Sequence, residues 1–453
     1  MLQEDPAEFL REAPKMREIY TNSFLNLAAV SADNCHQGLF RTRTSSNAKP
    51  VFAEVHWGSQ HRRCLVLRDD LWRSEILTEP LYARGWVLQE RLLAPRVLHF
   101  QRRQIYWQCP SLVACESWPG GLPAAMDHKG RNELRWSQLF HGSPDMTSER
   151  KYTQEEKVEM YTIWRTIVHD YTGCNLTKSR DKLMAIAGVA MQMKHAFHDD
   201  YCAGLWKCDL VEQLAWRVIH FRAPVSDPWY RAPSWAWPAV DGVVDLPPRL
   251  QHDRDHKLAI QDNGLHLVLE NPIEKCGTLF FGSLTAEVEL LRLEFVANHL
   301  EASPWTWTTR HADCRFFPDV PFDENDFRHL ENKDMASPAT GKHPVTLHKL
   351  IPVTTGDAAT YRIAFVAALL RYEGSQGTSS EDGLITGHAL ALRPGSGGQA
   401  NIFTRIGLVT FRDLAQPDWV KLQALRIPKV KDKGQQIAAS DNRSEWSHII
   451  TIL

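Results

Sequence analysis

The chain reads as an α+β protein in three parts: a mixed α/β region over residues 1–150, a helical region over 151–245 and a β-rich domain over 246–453. Three observations predict this. In the middle part Met160, Trp164, Ile167, Val168 and Tyr171 fall on one helical stripe. Beyond Pro224, the prolines Pro233, Pro238, Pro247 and Pro248 punctuate a loop, and short β-type runs then dominate. The 453 residues are 43% hydrophobic and 23% charged, enough for two or so domains with sizeable cores.

Taken in order, Glu8 to Ala29 reads as a helix breaking into a short strand, with Phe9, Leu10, Met16, Ile19 and Tyr20 followed by Phe24, Leu25 and Leu27. Val51 to Leu67 and Val97 to Trp107 read as strands. Ser111 to Arg150 is rich in glycine and proline and reads as a long loop, a lid or a linker. Thr153, with Glu155 and Glu156 in the first turn, opens a helix that Gly173 stops. Ser179 is the expected cap of a second helix, buried through Leu183, Ile186, Ala190 and Met193. A third helix is expected near Asp209 to Phe221, on Leu210, Leu214, Val218 and Phe221. The strands that follow are Leu265–Leu269, Thr285–Phe295, Tyr361–Leu370, Leu384–Leu392 and Phe403–Phe411, separated by polar loops over 313–342 and 374–382. No repeat is visible, which disfavours a solenoid or propeller.

Composition excludes several classes. Lys plus Arg number 52 against 54 for Asp plus Glu, a net charge of −2, which argues against a dedicated nucleic-acid binder. No run of apolar residues is long enough to span a bilayer, and the acidic start Met1–Asp5 lacks a signal core, so an intracellular, cytoplasmic protein is expected. The nine cysteines include no C-x-x-C, and the histidines form no metal-ligand pattern, so no metal and no cofactor are expected. Walker A, G-x-S-x-G and G-x-G-x-x-G motifs are absent from the sequence.

Three stretches carry a family resemblance. Met16-Arg17-Glu18-Ile19-Tyr20 leads into Leu25-Asn26-Leu27-Ala28-Ala29 and Gly38-Leu39-Phe40. Arg84-Gly85-Trp86-Val87-Leu88-Gln89-Glu90-Arg91 runs on to Arg96-Val97-Leu98-His99-Phe100 and Tyr106-Trp107-Gln108-Cys109. Tyr201-Cys202-Ala203-Gly204-Leu205-Trp206 precedes Tyr230-Arg231-Ala232-Pro233-Ser234-Trp235-Ala236-Trp237. This order resembles fungal heterokaryon-incompatibility (HET) domain proteins over roughly residues 1–245. The resemblance implies a partial, TIR-like α/β region, N-terminally shortened because Leu2–Asp5 looks like the tail of the family's second motif. It further implies non-self recognition or cell-death signalling through protein partners. Relatives also occur among fungal biosynthetic genes, which keeps open a cofactor-independent acid/base enzyme of secondary metabolism, acting on a small hydrophobic natural product.

The residues themselves supply candidate sites. Glu90, four residues after Trp86, shares a helical face with the indole; a carboxylate so desolvated suits general acid/base work. Alternatively it pairs with Arg84, Arg91 or Arg96 and fixes the backbone. Arg84, Arg91, Arg96, Arg102 and Arg103, with Tyr106 and Trp107, form either a pocket for an anionic or carbonyl-bearing ligand or a solvated basic face. Glu90, Arg84 and His99 are the candidate catalytic set. Trp86, Arg91, Arg96, Trp107, Trp206, Trp235 and Trp237 are the candidate ligand walls, the last three at a junction of the helical and β-rich parts or else in the core. Cys109 could be a nucleophile beside His99 or a buried thiol. Glu116, Asp127, His128 and His141 belong to the loop-rich stretch. The oligomeric state stays open.

Overall fold

The computed structural model describes residues 6–43, 49–58, 60–66, 71–123, 128–141, 152–222, 229–247, 256–271, 276–297, 305–307, 314–320, 351–355, 358–374, 385–395, 401–427 and 446–453. The chain divides into two compact units, Met1–Asp199 with Ile273–Gly277, and Asp200–Pro272 with Thr278–Leu453. Strand and helix are mixed as an α+β protein requires.

In the first unit, α1 (Pro6–Glu12) and α2 (Met16–Thr21), separated by a 3-10 turn, precede the short strand β1 (Asn26–Ala28). Strands β2 (Val51–Trp57) and β3 (Gln60–Val66) pair as a hairpin where one long strand is expected, because Gly58, at φ +59, turns the chain back. Helix α3 (Val87–Leu93) leads to β4 (Val97–Phe100), β5 (Ile105–Cys109) and β6 (Leu112–Cys115). These complete a four-stranded sheet ordered β1-β4-β5-β6, in which β1 and β4 are parallel and the other pairs antiparallel. One face of that sheet carries Ala28, Val97, Tyr106 and Cys115 into a core shared with Trp72, Ile76, Tyr82 and Val87.

Residues 111–150 hold more structure than the loop reading allows. Besides β6 there is a 14-residue helix α4 (His128–His141), whose Trp136, Leu139 and Phe140 are buried at helical spacing. Asp127 lies outside the described residues. Helix α5 (Gln154–Thr172) starts on a full capping box, the Thr153 hydroxyl accepting from the Glu156 amide and the Glu156 carboxylate from the Thr153 amide. Gly173 ends it. Ser179 opens a 3-10 turn rather than capping α6 (Met184–Phe197), which begins at the end of that turn.

The second unit opens on the tight pair β7 (Tyr201–Cys202) and β8 (Leu205–Trp206). The expected third helix is one turn only, α7 (Leu210–Gln213), followed by β9 (Arg217–Phe221) paired with β10 (Gly242–Asp245). Leu214 and Val218, both at 0% exposure, keep the four-residue spacing of a helix face, but residues 214 and 215 form a turn and the strand begins at Arg217. The β-rich remainder comprises β11 (Leu258–Leu269), β12 (Leu279–Ala297), β13 (Trp305–Trp307), β14 (Cys314–Pro318), β15 (Ile351–Thr355), β16 (Ala358–Gly374), β17 (Ile385–Pro394), β18 (Ile402–Leu414) and β19 (Ser447–Ile452), with helix α8 (Gln416–Gln423).

Pairing β12-β13-β14-β18-β17-β16 and back to β12 closes a barrel. Strand β12 is long enough to do two jobs. Its first half pairs with β11 and β19, and its second half with β16 and β13. Phe295, Phe316, Ala389, Val409 and Phe411 fill one core cluster, which Trp419 of α8 joins. Strand β14 occupies the start of the expected polar loop because Cys314 and Phe316 alternate inward at 0% exposure; residues 321–342 and 375–382 lie outside the described residues. Among the described residues no helix is long and apolar enough to cross a membrane, and no group of three or more His, Cys, Asp or Glu side chains could hold a metal.

Candidate functional site

The R-G-W-V-L-Q-E-R segment organises the first unit. Gly85 donates its amide to the Asn175 carbonyl at 2.9 Å, and a Cβ there would meet Leu176 Cδ2 at 2.7 Å, so a larger residue would have to push the Leu176 side chain aside. Trp86 sets its ring edge-on to Phe9, centroids 5.5 Å apart. Helix α3 then buries Val87, Leu88, Gln89, Arg91, Leu92 and Leu93 and leaves Glu90 half-buried. The Leu92 carbonyl accepts from Trp136 Nε1 at 2.7 Å and meets His141 Nε2 at 3.4 Å, and burial lowers the His141 pKa.

Two clusters of titratable groups flank this helix. In the first, the Tyr20 hydroxyl of α2 hydrogen-bonds the Glu90 carboxylate, with Arg84 as a nearby cation. Burial raises the Glu90 pKa; Tyr20 and Arg84 oppose the rise. Tyr20 is itself pushed up, by burial first and by Glu90 second. The arrangement can hold a proton on or beside a partly desolvated carboxyl.

The second cluster lies under the sheet. His99 is fully buried, with Nδ1 2.6 Å from the Tyr82 hydroxyl and Nε2 3.2 Å from Gln108 Oε1. The Gln108 oxygen only accepts, so the imidazole carries its hydrogen on Nε2 and Tyr82 donates to Nδ1. Burial, reinforced by the Arg91 cation, drives the His99 pKa down to about 3. The Arg91 guanidinium stacks 4.8 Å above the Tyr82 ring, and Trp72 meets His99 edge-on at 5.2 Å. This histidine stays neutral and enclosed, orienting Tyr82 and Gln108.

The candidate catalytic set therefore divides. Glu90 and Arg84 come together; His99 has Tyr82, Gln108 and Arg91 about it, and Glu90 is not among its charge neighbours. The arginines part company too. Arg91 is buried over Tyr82, while exposed Arg96 stacks 5.2 Å over Phe24 and Arg103 reaches Glu75 at 3.6 Å. Trp107 sits half-buried on β5, opposite Leu98 and Ala114. Cys109 points to the other side of β5 from Gln108, so strand alternation separates it from His99. Glu116 holds local structure, accepting from the Ile105 amide at 2.8 Å and pairing with Arg43.

Trp206, Trp235 and Trp237 belong to the second unit, each at 0% exposure. Trp237 Nε1 donates to the Gly204 carbonyl at 2.8 Å, and the Trp235 carbonyl accepts from Trp216 Nε1 at 2.8 Å. Arg231 staples the loop through Asp241 at 2.6 Å and the Ala239 carbonyl at 2.8 Å. Arg405 of β18 lies 3.4 Å over the Trp216 ring, forks onto Asp319 at 2.9 and 3.1 Å, and donates to the Leu214 and Trp216 carbonyls. These contacts place the tryptophan motif in the packing of its unit.

Sequence reading missed the roles of Tyr20, Tyr82 and the Arg405–Asp319 pair. Tyr20 closes one quoted motif and Tyr82 stands two residues before another, and that placement was the available signal. Nothing local marks Arg405 or Asp319.

Residues 1–90 match the family described as heterokaryon incompatibility protein (HET). That match, which runs from α1 into α3, is consistent with a HET-domain protein. No curated protein and no solved structure matches the chain.

Proposed function

We propose that the chain acts in fungal non-self recognition, passing a cell-death signal through protein partners. The HET match over residues 1–90 carries this reading. The parallel pairing of β1 with β4, with helix α3 on the connection between them, supports a TIR-like origin for the sheet. The test is induced expression of the full chain in a filamentous fungus. Growth arrest and cell death on induction are the expected outcome, and unimpaired growth with the protein accumulating overturns the reading.

A second reading, a cofactor-independent acid/base catalyst on a small natural product, draws on the desolvated Glu90 carboxyl and its Tyr20 partner. Here Glu90→Gln keeps the fold by circular dichroism and abolishes turnover of the metabolite lost when the gene is deleted. A variant that converts that metabolite at the normal rate ends this reading.

A further inference from the structure

The β2–β3 hairpin is exposed at every described position except the partly covered Ala53. Its two faces differ sharply in character. Register sets Val51, Ala53, Val55 and Trp57 beside Val66, Cys64, Arg62 and Gln60 on one face. Apart from Arg62 and Gln60 that face is apolar, and it is open to water, with Trp57 84%, Val51 64% and Val66 51% exposed. The opposite face, also exposed, carries the charged pairs: His61 Nε2 lies 3.2 Å from Glu54 Oε2, and the Arg63 guanidinium sits 4.3 Å over the Phe52 ring. A lone two-stranded hairpin is marginal in water, and an open apolar sheet face marks a surface that another molecule covers. The hairpin pairs with no third strand among the described residues, so its edges are available.

We propose that the β3 edge takes up a strand from a partner protein, one that alternates aliphatic side chains with carboxylates. This deepens the protein-partner reading above and rests on it. The turn bond joins Trp57 and Gln60, so residues 61, 63 and 65 turn their backbone groups to the outer edge. A strand added there places one row of side chains beside Arg62, Cys64 and Val66, and the other beside His61, Arg63 and Leu65. Aliphatic groups in the first row extend the apolar face. Carboxylates in the second meet His61 and Arg63. Lys49, Arg62 and Arg63 against Glu54 give residues 49–66 a net charge of +2, which complements an acidic strand. A second copy fits worse, because β3 against its own copy opposes arginine with arginine.

The test uses the full chain and a fluorescent synthetic peptide alternating valine with glutamate, beside its valine–lysine counterpart. The glutamate peptide binds, amide exchange slows at residues 61, 63 and 65, and Arg62→Glu with Arg63→Glu weakens binding at least tenfold while favouring the lysine peptide. Circular dichroism checks that the variant is folded. Absence of binding, equal binding of the two peptides, or binding without protection of β3 overturns the proposal. So does hairpin-dependent binding to phosphatidylserine vesicles with no peptide binding, or self-association that the variant abolishes. Growth arrest by a chain that ignores the peptide sinks this inference alone; peptide binding without growth arrest sinks the signalling reading alone.

Discussion

At His99, complete burial, reinforced by the nearby Arg91 cation, holds the ring uncharged, with a pKa of about 3 against an ordinary value of 6.5. The unfolded chain binds a proton at His99 below about pH 6.5, whereas the folded one does not until about pH 3, so stability falls as pH drops through that window. At ~1.4 kcal/mol per pKa unit the loss reaches roughly 3 kcal/mol by pH 4. Unfolding of wild type and His99→Gln between pH 7 and pH 4 measures it: the wild type loses stability faster, and parallel profiles contradict the assignment. The same arithmetic has the opposite sign at Glu90. Its raised carboxyl pKa favours the folded state at low pH and loses that advantage as pH rises through the raised value. Desolvation of Glu90 was expected from Trp86 four residues before it, and burial does raise the carboxyl's pKa. Its partner Tyr20 was not, because a contact between α2 and α3 leaves no periodic trace.

Among the elements, the β7–β8 turn tolerates change poorly. Gly204 sits at φ +100, where side chains are strained, and a Cβ there would lie 2.6 Å from Trp237 Nε1 in a fully buried ring. Gly204→Ala is expected to cost about 2–4 kcal/mol, combining backbone strain with overpacking. Gly120→Ala, with open space around it, should change stability by less than about 0.5 kcal/mol. Denaturant unfolding compares them, and equal effects refute the argument. Helices α5 and α6 and the long strands β12, β16, β17 and β18 were readable because apolar periodicity ran over many residues. Helix α4 was hidden by flanking glycines and prolines. The expected third helix failed because Leu214 and Val218, four residues apart, fit a helix face and a strand face equally over so short a run.

On the scale of the whole molecule, the second unit depends on a buried ion pair that joins β18, β14 and the segment before β9. Arg405 is 0% and Asp319 5% exposed at the side chain. Arg405→Met strands a buried carboxylate and two carbonyls, and should destabilise by about 3–5 kcal/mol. Adding Asp319→Leu should recover part of that loss, since no unpaired charge then remains. A double-mutant cycle by denaturant unfolding reads the coupling, and strict additivity contradicts it. By itself, the sequence determined the α+β class, the β-rich C-terminal half and the HET segment, because patterning and motif order are properties of neighbouring residues. Only the tertiary structure decided that the strands close into a barrel, that His99 faces Tyr82 rather than Glu90, and that the tryptophans of the motif are enclosed. Those outcomes depend on which distant segments exclude water from one another, and no local spacing encodes that choice.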